Sequence, residues 1–533
     1  MDGRKVEKFT SPDVQNELLK IMAVSILRDI ASKLSSSVFY TLMADEVTDV
    51  SNKEQVAVCL RSTDENFDVH EDFIGLHVVE SIQADVLVSV LKDVLLRLNL
   101  SIHNCRGQCY DSAANMAGAR TGVATQITRE EPKAIYTHCY GHALNLAASD
   151  TIKKNKVLRD AMDTTQVISK LLKYSPRRDA LFEKIKEELA PVTPGFRTLC
   201  PARCTVRACS LQSVIDNYAV FQELWDEALD IVHDCDTSAQ IGGVKASMKT
   251  FNYLFGLVLG QCLLRHTDNL SKTLQSPTLT ASEAQKIAEL TCETLLRIRD
   301  EKSFDLFWES VLLIQESNDI NEPELPCKRK APARFQAGSC GYHPSTPKDL
   351  YRPMYFECVD HIVNCMHMRF DQPGYGVLMR LENLLLNAAK DQPYDEDLTF
   401  VLQHYGSDFN AVSLKTQLQL FTTAMAEASD VSVSSIRSYF QSLSPVSRAN
   451  ISEVGTLLKL ILVVPATNAI SERSASALRR VKTYLRSTMS QARLNYLLIL
   501  HCHKERTEDL SLESCLREFV ECRERRAEIF GKF

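Results

Sequence analysis

Two aspartates separated by more than sixty positions are the residues whose chemistry first needs an explanation. Asp45 lies in MADEVTD (43–49), after the apolar run SSVFYTLMA, and Asp111 follows a short strand candidate at about 105–110. Carboxylates that meet at strand ends can bind Mg²⁺ or Mn²⁺ through their oxygens. Two such ions about 3.5–4 Å apart can support phosphodiester chemistry. Asp and Thr are also common where strands turn, so an acidic turn is the alternative.

A third acid and a run of cations follow much later in the chain. No acid before residue 155 is an obvious third ligand, but Glu472 lies in the helix predicted after Pro465. The segment 473–493 then contains basic residues and no acid. This run is either a solvated helix face or a patch that contacts phosphates beside the acids. Its members considered for DNA binding are Arg473, Arg479, Arg480, Lys482 and Arg486.

The elements that must position Asp45 and Asp111 follow the order βββ-α-β-α-β-α. Apolar runs and partial period-2 patterns predict strands at 38–44, 55–62, 69–79, 105–110 and 135–139, with helices at 12–38, 83–100 and 121–130 and after 139. A meander followed by crossovers gives a mixed five-stranded sheet with helices on its faces. In this topology strands 1 and 4 are neighbours, so the two aspartates come together. The same order occurs in RNase H-like nucleotidyl-transfer domains, although a fold alone does not fix a function.

The remainder of the chain has helical periodicity with one ambiguous segment. Residues 457–464, LLKLILVV, could form a strand or a buried helix, because periodicity does not separate the two. The segment near 319–350 is rich in Pro, Gly and charge and is predicted to be an exposed loop. Long helices are predicted at 156–189, 206–235, 243–269, 281–299, 300–315, 351–369 and 375–390.

Composition limits the class of protein. The chain has 533 residues, 45% apolar and 24% charged, which favours a multidomain globular protein. A net charge of −7 argues against a histone-like protein but allows a local basic face. No signal-peptide h-region and no apolar run of membrane-spanning length is found, so we expect no membrane association. The 17 cysteines have no repeated spacing and are expected to be reduced thiols of an intracellular protein.

Four stretches carry a resemblance to the hAT superfamily of DNA transposases, and within it to transposase-derived proteins of the zinc finger MYM-type-like or THAP-like kind. The stretches are DEVTDVSNKEQ (45–55), CYDSAANMAG (109–118), HCYGHALNLAASD (138–150) and PATNAISERSASALRRVKTYLRSTMSQARLNYLL (465–498). The last is the most specific and is similar to the family's C-terminal dimerisation signature.

The resemblance implies an α/β fold: an RNase H-like, mixed five-stranded core interrupted by a large all-α insertion domain, with a C-terminal helical dimerisation segment. It also implies a catalytic, metal-binding triad of Asp45, Asp111 and Glu472, with Mg²⁺ or Mn²⁺ as cofactor if the chain is active. The expected domains are an N-terminal helix (1–36), the first part of the core (37–155), the insertion with its exposed loop (156–449), the dimerisation region completing the core (450–510) and a C-terminal helix (511–533).

Other family positions are assigned in the same way. Cys139 and His142 match a C-x-x-H element. Two ligands cannot fill a zinc site, which normally takes four, so helix packing is the favoured role. The C-terminal segment would supply an apolar dimer surface, because its leucines exceed what one helix face needs. The leucines assigned to this surface are Leu494, Leu497 and Leu498.

Three departures from the family pattern bear on activity. The family's Arg-Trp pair early in the insertion reads Arg203-Cys204 here, and a thiol has no π-face for stacking on an unpaired base. Arg203 is retained as a DNA-binding candidate. The signature SERSFS reads SERSAS, with Ala475 in the aromatic place. No paired Cys/His cluster of the kind that usually begins these proteins precedes strand 1 in this sequence, so recognition of transposon ends would be lost or supplied by another protein, unless the gene model is truncated.

Two hypotheses of function follow. The first is a nuclear, transposase-derived protein that forms homodimers and acts as a DNA-associated regulatory or interaction module. The second is a working metal-dependent DNA nuclease or transposase of the DDE type. The intact triad supports the second hypothesis, whereas the Trp-to-Cys change and the missing zinc finger favour the first.

Overall fold

The computed structural model describes residues 9–111, 113–199, 206–276, 279–325, 344–428, 430–483 and 486–531, without the side chains of Ala281, Pro373 and Glu472. The chain divides into two compact units. The first comprises Met1–His142, Gln275–Ala284 and Gln372–Phe533, and the second comprises Ala143–Leu274 and Gln285–Asp371. Residues 372–449, assigned from sequence to the insertion, therefore belong to the unit that contains the sheet.

Five strands form one mixed sheet in the first unit, which confirms the predicted fold class. The strands are β1 (Tyr40–Thr48), β2 (Glu54–Thr63), β3 (Val69–Val78), β4 (Cys105–Tyr110) and β5 (Ile135–His138). Their spatial order is β3-β2-β1-β4-β5. β1 pairs antiparallel with β2 and parallel with β4, β2 pairs antiparallel with β3, and β4 pairs parallel with β5. The predicted neighbours β1 and β4 thus lie side by side.

The helices of the described residues account for most of the remaining chain. In order they are α1 (Pro12–Ser36), α2 (Ala84–Arg97), α3 (Ala114–Ala117), α4 (Val123–Glu130), α5 (Tyr140–Lys154), α6 (Lys156–Lys173), α7 (Pro176–Leu189), α8 (Arg207–Asp216), α9 (Tyr218–Ile231), α10 (Cys235–Met248), α11 (Phe251–Leu274), α12 (Ala281–Arg297), α13 (Glu301–Ser317), α14 (Pro347–Phe370), α15 (Pro373–Ala389), α16 (Asp395–Tyr405), α17 (Ala411–Met425), α18 (Val433–Ser442), α19 (Pro445–Ala449), α20 (Ser452–Val463), α21 (Ala469–Val481), α22 (Gln491–Cys502), α23 (Lys504–Glu508), α24 (Leu512–Glu521) and α25 (Glu524–Phe530). Of the helices in the described part, none is long and apolar enough to cross a membrane.

The sheet is buried on both faces, which explains its near-continuous apolar strands. Every residue of β2 after Glu54 is buried. The core around the sheet receives apolar side chains from α1, α2, α4, α21 and α22. The N-terminal helix α1 is therefore part of the core, because Ile26, Ile30 and Leu34 are almost completely buried within it.

The ambiguous run 457–464 lies mainly in helix α20, which resolves the choice between strand and buried helix. From Leu460 to Val463 every side chain is at most 5% exposed. Its last carbonyl groups are satisfied by strand side chains. Thr41 Oγ1 donates to Val463 O at 2.8 Å, and the Arg61 guanidinium donates to Leu462 O at 2.9–3.0 Å. A helix can be buried on all sides here because its C-terminal acceptors find partners.

A buried ion pair is one of the contacts that join residues 372–449 to the sheet. The guanidinium of Arg106 on β4 donates twice to the Asp408 carboxylate, each time at 2.7 Å, and Lys133 Nζ donates to the same group at 2.7 Å. The Arg106 and Asp408 side chains are only 5% and 7% exposed. Bidentate pairing of this kind fixes geometry as well as charge. No hydrophobic periodicity in the sequence signals this pairing.

Helix α15 closes the β5 edge of the sheet. His138 N donates to Gln372 Oε1 at 2.8 Å, just before the helix begins. A Cβ atom on Gly374 would lie 2.1 Å from the Tyr136 carbonyl oxygen. Glycine is required here because the helix and strand backbones approach closely.

Candidate functional site

The sheet register places Asp45 and Asp111 on neighbouring strands. The parallel β1–β4 ladder ends at the pair Met43↔Cys109, and each aspartate lies two residues beyond its member of that pair. Parallel neighbours are about 4.8 Å apart, and residues two positions apart point to the same face. The sequence predicts that strand β1 ends at Asp45, but the strand does not end there. It continues to Thr48, with Asp45 opposite Ala57 of β2. Asp45 thus lies inside β1, next to the point at which the neighbouring strand β4 ends.

Asp111 directly follows β4, and its side chain and its backbone carbonyl both accept hydrogen bonds. Its Oδ1 accepts the Ala113 N–H at 3.1 Å, and its carbonyl accepts the Tyr136 hydroxyl at 3.0 Å. Burial and the nearby Asp111 charge raise the pKa of Glu46, while a hydrogen bond from Asn115 Nδ2 opposes this rise. Sequence reasoning assigned no role to Glu46. Its signal was only its place beside Asp45, and its proximity to Asp111 required the fold.

Helix α21, which carries Glu472, begins beside the end of β1. Asn468 Nδ2 donates to the Ala44 carbonyl at 2.8 Å, one residue before Asp45. The hydroxyl of Ser471 donates to Asn468 Oδ1 at 2.6 Å and lies 3.5 Å from Cys59 Sγ on β2. These contacts bring the first turn of α21 to the sheet next to the two aspartates. The Glu472 backbone is in this turn, but its side chain lies outside the described residues.

The donors at this edge suit a hard cation chemically. Asp45 and Asp111 offer carboxylate oxygens, the ligands that Mg²⁺ and Mn²⁺ prefer. Within the described residues no group of three or more His, Cys, Asp or Glu side chains is arranged to hold a metal ion. The described part of the site therefore supplies a pair of neighbouring acids, and the triad stays a prediction.

The C-x-x-H element joins the end of β5 to the start of α21. Cys139 is 3% exposed, and its Sγ accepts the backbone N–H of Asn468 at 3.1 Å. The rings of His138 and His142 lie 5.8 Å apart in an edge-to-face arrangement. Cys139 thus helps to place the residue that contacts β1, which is a positioning contact within the core.

The predicted DNA-binding residues divide into exposed and buried members. Arg473, Arg479, Arg480 and Arg486 are exposed on α21 and the segment after it. Arg473, with 60% of its side chain exposed, also approaches Glu71 Oε2 at 3.5 Å. Arg203 lies outside the described residues. The exposed arginines follow the turn of α21 that meets the acidic edge of the sheet.

Lys482 does not belong to this exposed face. Its ammonium is 2.6 Å from Asp49 Oδ2, and the two side chains are 3% and 0% exposed. Burial alone would raise the pKa of Asp49. The ammonium, the N–H groups of Ser51 and Lys53 and the Gln55 amide together hold it below its ordinary value. The chain thus uses Lys482 to fix the segment after α21 to the β1–β2 turn, because a buried carboxylate needs a charged partner.

The leucines assigned to the dimer surface lie mainly inside the protein. Leu494 and Leu498 are 0% exposed, and Leu497 is partly exposed. Helix α22 packs against α1, α21 and β3, so its apolar face is covered within its own chain. Leu494 and Leu498 are therefore core residues. The predicted dimer role is wrong for these two leucines, because α1 covers the helix face that was expected to be exposed.

The two parts of the chain that form this site each match a known protein family. Residues 3–122 match the ZMYM1/FAM200 RNase-like domain, and residues 432–505 match the hAT family C-terminal dimerisation region. Over 95% of its length the chain is 22% identical to the 52 kDa repressor of the inhibitor of the protein kinase of Mus musculus and of Homo sapiens, covering 67% of each.

A shorter similarity links one fifth of the chain to a third protein. It is 38% identical over 108 residues to the General transcription factor II-I repeat domain-containing protein 2 of Bos taurus, covering 20% of this chain and 11% of that protein. The chain therefore carries an RNase-like domain together with a hAT C-terminal dimerisation region, which confirms the predicted resemblance to hAT-derived proteins.

Proposed function

We propose that this chain acts in the nucleus as a homodimeric, DNA-associated regulatory protein derived from a hAT transposase. The observation that carries the proposal is the hAT dimerisation region at 432–505, which is folded onto the RNase-like sheet. Two relatives bear the name of a repressor, which supports a regulatory role. The exposed arginines Arg473, Arg479, Arg480 and Arg486 supply cations for DNA phosphates.

Val446 is the best candidate for a dimer contact inside the region. Its side chain is 77% exposed, on the short helix α19. Helix α19 is fixed to the β2–β3 turn because Arg448 donates to Glu65 O at 3.0 Å and to Asn66 Oδ1 at 3.2 Å. An exposed valine on a fixed helix can pack against a second copy with little cost in ordering.

Sedimentation equilibrium of the full chain tests the dimer. A dimer has twice the 60.0 kDa chain mass. Val446→Glu should raise the dimer dissociation constant at least about tenfold, or 1.4 kcal/mol. Val412→Glu is the matched control, since Val412 is 79% exposed on α17, outside the region. A monomeric wild-type chain, or equal effects of both variants, would refute the proposed surface. Deleting the region would be uninformative, because buried α20 and α22 would be lost with it.

DNA association has its own test. Arg479→Gln combined with Arg480→Gln should weaken duplex binding and lower the slope of log affinity against log salt by about 2, since each phosphate contact contributes about 0.9. Both side chains are exposed, so the fold should be retained. An unchanged salt slope would remove α21 from the DNA-binding surface.

A metal-dependent nuclease is the second candidate, and one observation favours it. The sheet register sets Asp45 beside Asp111 while Asn468 holds the start of α21 next to them. Nicking of supercoiled DNA with Mn²⁺, lost in Asp111→Asn, would support this activity. Equal nicking by wild type and variant would assign it to a contaminant.

A further inference from the structure

A solvent-facing tyrosine among cations marks the turn between α6 and α7 in the second unit. Tyr174 is 74% exposed, more than any other aromatic side chain in the described part of the chain. It lies in KLLKYSPRR (170–178), which holds four basic residues and no acid. A large aromatic ring left in water beside a local excess of cations needs an explanation.

The turn presents this ring in a defined position. Lys170, Lys173 and Tyr174 are spaced i, i+3 and i+4 at the end of α6, so they share one face. Lys173 Nζ lies 5.8 Å from the centre of the Tyr174 ring. Arg178 closes the turn, because its Nε donates to Leu171 O at 2.7 Å. The backbone that carries the ring is thus fixed while the ring itself stays exposed.

Helix stability accounts for only part of this cluster. Lysines in a last helical turn complement the helix dipole, which explains Lys170 and Lys173. Arg177 is exposed in the first turn of α7, where the dipole disfavours a cation. The helix dipole does not explain Arg177, and it does not explain an aromatic ring in water at the centre of the cluster.

We infer that Lys170, Lys173, Tyr174 and Arg177 form a binding site for an unpaired nucleic-acid strand. The cations meet backbone phosphates, and the exposed ring face stacks on a base, which is the usual combination in single-strand binding. A membrane surface would require several exposed apolar side chains. An acidic peptide would use the charges but would have no need of a planar ring. The inference rests on the proposed association with DNA and adds a separate site in the second unit.

Fluorescence anisotropy of the full chain with a labelled mixed-sequence single strand tests the site. Tyr174→Ala should weaken binding about fivefold or more, the loss of one stacked base, whereas Tyr174→Phe should bind as wild type. Neutralising Lys170, Lys173 and Arg177 to Gln should lower the salt slope by about 2, at about 0.7 per phosphate contact on a single strand. The charge-matched control replaces three exposed lysines of the same unit by Gln: Lys249, Lys286 and Lys302.

Each contrary outcome overturns the inference. Wild-type affinity in Tyr174→Ala would show that the surface binds the strand through charge alone. Displacement of the strand by polyglutamate of equal charge would show the same. An equal loss in the control triple variant would show an effect of net charge. Duplex binding and its loss in the α21 arginine variant are measured in parallel. If duplex binding is intact and single-strand binding does not depend on Tyr174, only this site is refuted. If the wild-type chain binds neither nucleic acid, the proposed association with DNA is refuted as well.

Discussion

Replacing Lys482 by Met separates a structural role for this residue from a DNA-binding role. The change keeps most of the apolar side chain but removes the ammonium 2.6 Å from Asp49, at a place where neither side chain is more than 3% exposed. Removing one partner of a buried pair costs about 3–5 kcal/mol. Asp49 keeps donors from Ser51 N at 2.7 Å, Lys53 N at 3.2 Å and Gln55 Nε2 at 2.5 Å. We therefore expect the lower end, about 3 kcal/mol.

Hydrogen exchange of the β1 and β2 amides measures this loss locally. A cost of about 3 kcal/mol lowers the protection of the slowest amides by about a hundredfold. The exposed neighbour Arg480→Met is the matched control and should leave protection unchanged. Adding Asp49→Asn to Lys482→Met should restore part of the protection, because no uncompensated charge then stays buried. Full protection in Lys482→Met together with weaker duplex binding would refute the structural role.

The Lys482–Asp49 pair should be sensitive to acid, and substitutions at Asp268 and Gly374 should change stability in predictable directions. Because the pKa of Asp49 is lowered from 3.8, the pair's contribution is present above about pH 4 and is lost as pH falls through the folded-state pKa, which a Tm series of wild type against Lys482→Met would record. Burial raises the pKa of Asp268 to about 6 from 3.8, so wild-type stability falls as pH rises through this window. Asp268→Asn should have the stability of wild type below about pH 4. Above pH 6 its free energy of unfolding should exceed that of wild type by up to about 3 kcal/mol, at 1.36 kcal/mol for each pKa unit. A Tm series would measure this difference, and no gain in Tm would contradict the raised pKa of a buried acid. Gly374→Ala should lower Tm because its methyl group would lie 2.1 Å from Tyr136 O, whereas Gly376→Ala, with open space around it, should not.

The strand order was predictable because each strand carries its own local signal. Apolar runs bounded by polar turns located all five strands, and the mixed topology follows from their order along the chain. That order made β1 and β4 neighbours and so brought Asp45 to Asp111. What the sequence did not show was the length of β1 beyond Asp45. The residues from Glu46 to Thr48 pair with β2 alone, and the polar residues Asp45, Glu46 and Thr48 end the apolar run from which the strand was predicted.

The partners of charged residues were not predictable from local patterns. Lys482 shares its sequence neighbourhood with exposed arginines, yet it is buried because Asp49, distant in sequence, needs a cation. Arg106 and Asp408 likewise meet across some three hundred positions, and this pair is one of the contacts that join helices α15–α19, expected in the insertion, to the sheet. Paired charged side chains do not recur at a regular spacing along the sequence. Only the closed fold shows which of two identical charges faces solvent.

The dimerisation region also builds the core, and this limits which of its residues can report on association. Asn495 on α22 accepts the Leu76 N–H at 2.9 Å and donates to Leu76 O at 2.8 Å, as a neighbouring strand would. His503 adds a contact at 2.8 Å from Nε2 to Phe73 O and Gln491 Nε2 donates to Leu76 O at 3.1 Å, so three side chains after α21 cover the open edge of β3. An uncovered edge strand would itself pair with other chains, which means that truncation could create association as easily as abolish it. A change in oligomeric state is therefore interpretable only for exposed positions such as Val446, and not for buried positions such as Leu494.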